Sequence, residues 1–103
     1  MINISEKEKQ IILGILSQYV PDRQVMALGS RVRGGEVVVK PYSDLDLAVM
    51  GNTPLDMLTL ALLKDAFAES DLPYRVDILQ WCQTSKEFKK TIKTQLQTVR
   101  QAS

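Results

Sequence analysis

Three segments of the chain place apolar residues at helical spacing, and each opens with a helix-capping pattern. The segment SEKEKQIILGILSQYV starts with the capping-box residues Ser5 and Glu8 and ends before Pro21. In TPLDMLTLALLKDAFAES, Thr53 is the expected N-cap and Pro54 the first helical residue. The segment TSKEFKKTIKTQLQTVRQ begins with a second capping-box pattern. We therefore predict three amphipathic helices.

Each predicted helix has one apolar face that we expect to be buried. In the first helix this face consists of Ile11, Ile12, Ile15, Leu16 and Tyr19. In the second it consists of Leu55, Leu58, Leu62, Ala66 and Phe67. In the last it consists of Phe88, Ile92, Leu96 and Val99.

Between the helices lie three short apolar runs with strand propensity, QVMALGS, DLDLAVMG and YRVDILQW. The segment RVRGGEVVVKPYS is ambiguous, because part of it can open a short helix while Glu36 to Lys40 favour a strand. The order predicts an α+β fold, a two-layer α/β arrangement in which a small mixed sheet of about three strands packs with about four helices. We expect one domain over residues 1–103.

Composition narrows the chemistry that is possible. The chain has no histidine and one cysteine, Cys82, which excludes a structural zinc site and the Ser-His and Cys-His nucleophile pairs. Carboxylates, hydroxyls, lysines and arginines remain, and this set suits Mg²⁺ and phosphate ligands. No apolar run approaches the roughly 20 residues that span a bilayer, and the N-terminus is polar where a signal peptide is apolar. These features predict a cytoplasmic protein.

Three aspartates stand in apolar strand segments, where charge is unusual. In a strand, Asp44 and Asp46 point to the same face, while Leu45 and Leu47 point into the core. Asp77 repeats the arrangement among Val76, Ile78 and Leu79 in a later strand. A solvated acidic strand end is the simplest interpretation of Asp-x-Asp alone. The third acid favours instead a cup of hard oxygen atoms that holds two divalent ions.

Upstream of the acids, a Gly-Ser turn is placed to receive phosphate oxygens. Gly29 and Ser30 offer backbone amides and a hydroxyl, and Arg31 adds positive charge beside them. Arg33 and Lys40 can reach a phosphate, or can simply keep an exposed loop soluble.

The motifs GSRVRG, SDLDLAV and YRVDIL together resemble the signature of the DNA polymerase β-type nucleotidyltransferase superfamily. The stretch AESDLPYRVDILQWCQTSKEF is similar to one branch of the minimal nucleotidyltransferases, and the likeness covers nearly the whole chain. The segment between Ser30 and Asp44 is a few residues longer than in many relatives, so the details of that loop are not carried over.

The resemblance implies a role for each motif residue. Gly29 and Ser30 would bind the phosphates of ATP or another nucleoside triphosphate, with Arg31 beside them. Asp44 and Asp46 would ligate two Mg²⁺ ions, and Asp77 would complete the ion next to the acceptor hydroxyl. A nucleoside monophosphate, most plausibly AMP, would be transferred to that hydroxyl and pyrophosphate released.

The resemblance also implies a partner, an all-helical HEPN-type protein, with the pair behaving as antitoxin and toxin. The acceptor hydroxyl would then be on that partner. Two alternatives stay open: a non-catalytic module that neutralises the partner by contact, and transfer to a small molecule or an RNA end.

Direct binding of nucleic acid is not expected. The last helix is basic, with Lys86, Lys89, Lys90 and Lys93, but a solvated helix face explains it more simply than an acidic partner or a polynucleotide. The one aromatic residue among these lysines, Phe88, is assigned to the apolar face of the helix, so the lysines have no aromatic platform on which bases could stack. For Trp81 we expect a place in the core.

Overall fold

The computed structural model describes residues 4–28, 45–93 and 96–102. Three α-helices, four strands and a short 3-10 turn lie in these ranges. In chain order they are α1 Glu6–Tyr19, β1 Val25–Leu28, β2 Leu45–Val49, α2 Met57–Ala68, β3 Val76–Gln80, the 3-10 turn Trp81–Gln83, α3 Lys86–Ile92 and β4 Gln97–Arg100. The ambiguous segment RVRGGEVVVKPYS and its possible short helix lie outside the described residues.

Helix α1 begins as its sequence predicts. The hydroxyl of Ser5 accepts a hydrogen bond from the Glu8 amide, and the Glu8 carboxylate accepts one from the Ser5 amide. Both amides belong to the helix start, where no backbone carbonyl is available to them. The buried face of α1 carries Ile12 and Leu16, which are both fully enclosed. The capping box therefore fixes where the helix starts, and these two residues fix which side faces the core.

Helix α2 starts later than predicted, because Asp56 rather than Thr53 is its N-cap. The Asp56 carboxylate accepts hydrogen bonds from the amide and hydroxyl of Thr59, and these bonds lower the pKa of Asp56. Thr53 instead accepts hydrogen bonds from the guanidinium of Arg23 through its carbonyl and its hydroxyl. Pro54 consequently precedes the helix and does not form its first turn.

The predicted buried face of α2 is also partly wrong. Leu63 and Phe67 are the buried residues of the helix, whereas Leu58 is 68% exposed and Leu62 is 43% exposed. Nearly every position of α2 between Met57 and Phe67 is apolar, so the sequence offers two leucine-rich faces and periodicity alone cannot choose between them.

The last predicted helix is shorter than expected and is followed by a strand. Helix α3 ends at Ile92, and β4 pairs antiparallel with β1 through Ala27 opposite Gln97 and Met26 opposite Thr98. The expected helical stripe is therefore wrong at Leu96 and Val99. Phe88, which was also expected to be buried, is 44% exposed, and Ile92 is the buried residue of α3. The free edge of β1 provides backbone hydrogen-bond partners that outweigh a modest local helix propensity.

The sheet has the strand order β3-β2-β1-β4. Strand β1 is antiparallel to both of its neighbours, and β2 is parallel to β3. The sheet is therefore mixed, as predicted, with four strands instead of about three. The α+β prediction is confirmed. No helix in the described part of the chain is long and apolar enough to cross a membrane.

The two faces of the sheet are covered differently. Helices α1 and α2 lie on one face and enclose the main core, whose strand residues include Val25, Ala27, Leu45, Leu47 and Val49. Helix α3 lies on the opposite face, where a smaller cluster is built on three buried side chains, Leu28, Ala48 and Ile92. Trp81 packs half-buried against this smaller cluster, in agreement with the core role expected for it.

The corrected face of α2 can be tested by comparing two leucines of the same helix. We expect Leu63→Ala to lower the free energy of unfolding by about 2–5 kcal/mol, because a fully buried side chain is removed from a packed core. Leu58→Ala, at a 68% exposed position, should change it by about 0.5 kcal/mol or less. Urea denaturation measures both, and a larger loss in Leu58→Ala would contradict the packing described for α2.

Candidate active site

Two of the predicted site residues lie side by side on neighbouring strands. Strands β2 and β3 run parallel and in register, so that Asp46 is aligned with Asp77, Leu45 with Val76 and Leu47 with Ile78. Because side chains alternate across a sheet, the two aspartates share the face opposite α1 and α2. Asp46 is half-buried, and the Asp77 side chain is 49% exposed. The two carboxylates are therefore neighbours, and both are partly exposed.

The same strand end leads into the predicted phosphate-binding segment. Leu28, the last residue of β1, is aligned with Asp46 from the other side of β2. Gly29 and Ser30 follow Leu28 directly in the sequence, and Asp44 precedes Leu45. Gly29, Ser30, Arg31 and Asp44 themselves lie outside the described residues, as do Arg33 and Lys40. Their site roles stay predictions.

An ion pair that was not expected from the sequence lies at the site. The Arg75 Nε is 3.7 Å from an oxygen of Asp77, and both side chains are exposed, by 79% and 49%. An exposed pair at this distance contributes little to stability. Positions 75 and 77 share one face of an extended segment, so the alternation that placed Asp77 also predicts that Arg75 is its neighbour. The sequence therefore contained the signal that places Arg75 next to Asp77.

The donor chemistry at this position fits a hard divalent cation. Asp46 and Asp77 offer carboxylate oxygens, the ligands that Mg²⁺ and Ca²⁺ prefer. The soft donor Cys82 lies beyond the far end of β3, away from the acids. Among the described residues no group of three acidic, histidine or cysteine side chains converges. Since the third predicted ligand, Asp44, lies outside these residues, the structure places two ligands of the predicted set.

Apolar residues flank the two acids on their own face of the sheet. Ala48 and Leu79 are the next residues of β2 and β3 on that face, and both belong to the cluster beneath α3. One side of the acid pair is therefore closed by packed side chains.

Neither aromatic residue that flanks β3 is free to stack on a base. The Tyr74 hydroxyl donates a hydrogen bond to the Glu8 carboxylate, and its ring is buried in the main core. The ammonium group of Lys89 lies 5.3 Å from the centre of the Trp81 ring, a distance typical of a cation–π contact. Both residues therefore have structural roles, and one lysine of the basic helix is accounted for by packing against Trp81.

A family profile described as a nucleotidyltransferase domain matches residues 9–101. A protein of Haemophilus influenzae named probable protein adenylyltransferase MntA is 50% identical over 92 residues, which is 89% of this chain and 78% of that protein.

Solved structures with the same fold include two toxin–antitoxin complexes. One, a toxin–antitoxin with AMP-PNP, has a TM-score of 0.71 and 23% identity, and the match covers 92% of this chain and 74% of that one. The other is the tri-AMPylated HEPN toxin of Shewanella oneidensis in complex with its MNT antitoxin, with a TM-score of 0.67, 18% identity and coverage of 96% and 74%. At these identities the structures establish a shared fold.

The family profile and the Haemophilus influenzae relative each match most of this chain. The resemblance to the minimal nucleotidyltransferases is thereby confirmed, and so is the predicted enzyme class. The chain belongs to the nucleotidyltransferase domain family.

Proposed function

We propose that this protein is a Mg²⁺-dependent nucleotidyltransferase that transfers AMP from ATP to a hydroxyl of a HEPN-type partner, and so acts as an antitoxin. The observation that carries this proposal is the alignment of Asp46 with Asp77 on adjacent parallel strands. Support for AMP and ATP comes from the relative named a probable protein adenylyltransferase and from the AMP-PNP complex of similar fold. Support for the partner comes from the HEPN complex of similar fold.

In this proposal Asp46 and Asp77, together with Asp44, hold Mg²⁺. Two carboxylates aligned on neighbouring strands repel each other, so a cation between them is electrostatically favoured. When bound there, Mg²⁺ supplies the positive charge that offsets the charge developing on the phosphate oxygens. Gly29, Ser30 and Arg31 receive the phosphates of the nucleotide.

The chain itself contributes mainly by positioning the reacting groups and by stabilising charge electrostatically. Phosphoryl-group transfer needs little covalent chemistry from a protein, provided that the reacting atoms are held in line. A bond forms between the acceptor oxygen and the α-phosphorus of ATP, and the bond from that phosphorus to the bridging oxygen breaks, so that pyrophosphate leaves. The proton of the acceptor hydroxyl passes to solvent, which reaches the half-exposed Asp77.

Transfer can be followed with ATP labelled at the α-phosphorus, Mg²⁺ and the HEPN-type partner. We expect label to reach the partner with the native protein. The rate should fall on the order of 100-fold or more in Asp46→Ala and in Asp77→Ala, because charge stabilisation in the transition state is lost. Asp71→Ala, at an exposed position in the loop before β3, is the matched control and should keep its activity. With ATP labelled at the γ-phosphorus, the label should appear in pyrophosphate and the partner should stay unlabelled.

The same experiment separates transfer from binding alone. A tight complex that forms without label, and that silences the partner equally well with Asp46→Ala, would replace the enzyme by a contact-only module. Label on a small molecule or an RNA end in place of the partner would change the acceptor and leave the reaction type as proposed.

Nucleotide binding has a separate readout in thermal unfolding. We expect Mg²⁺ with a non-hydrolysable ATP analogue to raise the Tm of the native protein by several degrees, about 4–8 °C per kcal/mol of binding energy for a domain of this size. Asp46→Asn should lose most of this shift, and Asp71→Asn should retain it. Each shift is taken as the difference with and without ligand for one variant, so that baseline stability cancels. An undiminished shift in Asp46→Asn would remove that residue from the proposed site.

A further inference from the structure

Phe88 is the most exposed of the described aromatic residues. The sequence predicts it in the buried stripe of α3, but 44% of it is exposed. Phe67 and Tyr74 are buried in the main core, and the ring of Trp81 is in contact with Lys89. An exposed ring alone identifies no site, so its position in the fold decides its role.

Helix α3 crosses the sheet face on which the two acids lie. It follows β3 and precedes β4, which are the two edge strands of the sheet. Ile92 packs with Leu28 of β1 and Ala48 of β2. Both of these residues adjoin Asp46 on this face, one on the neighbouring strand and one along the same strand. Phe88 lies about one helical turn before Ile92, and therefore nearer to β3.

The neighbours of Phe88 along the helix fix the side on which its ring lies. Successive residues of a helix are about 100° apart, so Phe88 and Lys89 lie on opposite sides of the buried direction marked by Ile92. The Lys89 ammonium contacts Trp81, which follows β3 at the end away from Asp77. Phe88 is therefore on the flank of α3 that faces the strand ends with the two acids.

The base of a bound nucleotide suits this position. Under the proposed function the phosphates are received after Leu28, and the α-phosphorus is held at Asp46 and Asp77. The ribose and base extend from that same phosphorus, and the base is the flat, aromatic part of the nucleotide. Phe88 offers an exposed aromatic surface on the same face of the sheet as the acids. Stacking between a base and an aromatic side chain needs no hydrogen-bonding group from the protein.

We propose that Phe88 is the stacking platform for the base of the bound nucleotide. This inference rests on the proposed function and adds a base-binding residue to it. An offset stack uses the ring area of the base and reads none of its hydrogen-bonding groups. The native protein should therefore bind purine nucleotides more tightly than pyrimidine nucleotides, while Phe88 itself does not distinguish one purine from the other.

Three variants test this role. Phe88→Ala removes the ring, whereas Phe88→Tyr keeps an aromatic surface. Leu62→Ala removes a side chain of equal exposure, 43%, from α2 on the opposite face of the sheet. Calorimetry in the presence of Mg²⁺ measures the binding of a non-hydrolysable ATP analogue, and the binding of inorganic tripolyphosphate, which has the phosphates but no base.

We expect Phe88→Ala to weaken binding of the ATP analogue about tenfold or more, an effect typical of base–aromatic stacking. Binding of tripolyphosphate should not change. Phe88→Tyr and Leu62→Ala should bind both ligands as the native protein does. The preference for the ATP analogue over the corresponding UTP analogue should shrink in Phe88→Ala, because the larger base loses more contact with the ring.

A second measurement observes the ring itself. The chain has two phenylalanines, Phe67 and Phe88, so isotopic labelling of phenylalanine gives two ring systems in an NMR spectrum. The ATP analogue with Mg²⁺ should shift the ring signals of Phe88, and those of Phe67, buried in the main core, should stay in place. Tripolyphosphate with Mg²⁺ should leave both rings nearly unshifted.

Two results would overturn the inference and leave the proposed function in place. Equal loss of analogue and tripolyphosphate binding in Phe88→Ala would mean that the ring supports the phosphate site and does not contact the base. Unchanged binding of the analogue in Phe88→Ala would remove the ring from the nucleotide, and slower labelling of the partner by that variant would assign it to partner contact. If the native protein binds neither ligand with Mg²⁺, the proposed function fails and the base platform fails with it.

Discussion

The parallel pairing of β2 with β3 is the constraint on which both the core and the site depend. One register places Leu45 and Leu47 beside Val76 and Ile78 on one face and Asp46 beside Asp77 on the other. A slip by one residue would move every side chain of a strand to the opposite face. Apolar burial on the helix side therefore fixes the spacing of the two carboxylates on the other face.

The different packing of the two faces of the sheet follows from the same pairing of β2 with β3. The face beneath α1 and α2 is fully packed along β1 and β2, and it supplies stability. The other face has a smaller apolar cluster under α3, with the acids beyond it at the strand end. At the β3 edge the covering of the packed face is incomplete, since Val76 and Ile78 are only half-buried. The acids lie on the other face, where the cluster under α3 does not reach the strand end.

The sequence predicted correctly those features that depend on residues close together in the chain. The Ser5–Glu8 capping box and the alternation around Asp46 and Asp77 act over a few residues, and the structure agrees with each. The predictions were wrong where a residue distant in sequence determines the local structure. Thr53 was expected to cap α2 but is engaged by Arg23, which is distant in sequence. Leu96 and Val99 fit a helical stripe equally well, and only the exposed edge of β1 makes the segment a strand. Arg75 could have been recognised beside Asp77 from alternation alone. The half-burial of Val76 and Ile78 could not, since it depends on how far α2 extends over the sheet.

The return of β4 to β1 has a consequence for how the molecule assembles. The pairing of Ala27 with Gln97 joins segments that are separated by most of the chain, and Arg100 adds hydrogen bonds to the carbonyl of Pro21 and the hydroxyl of Ser17. We expect contacts of such long range to form after local ones, because the entropy of closing a large loop must be overcome first. The strand that ends at Leu28 is then bordered on both sides only once β4 has reached β1.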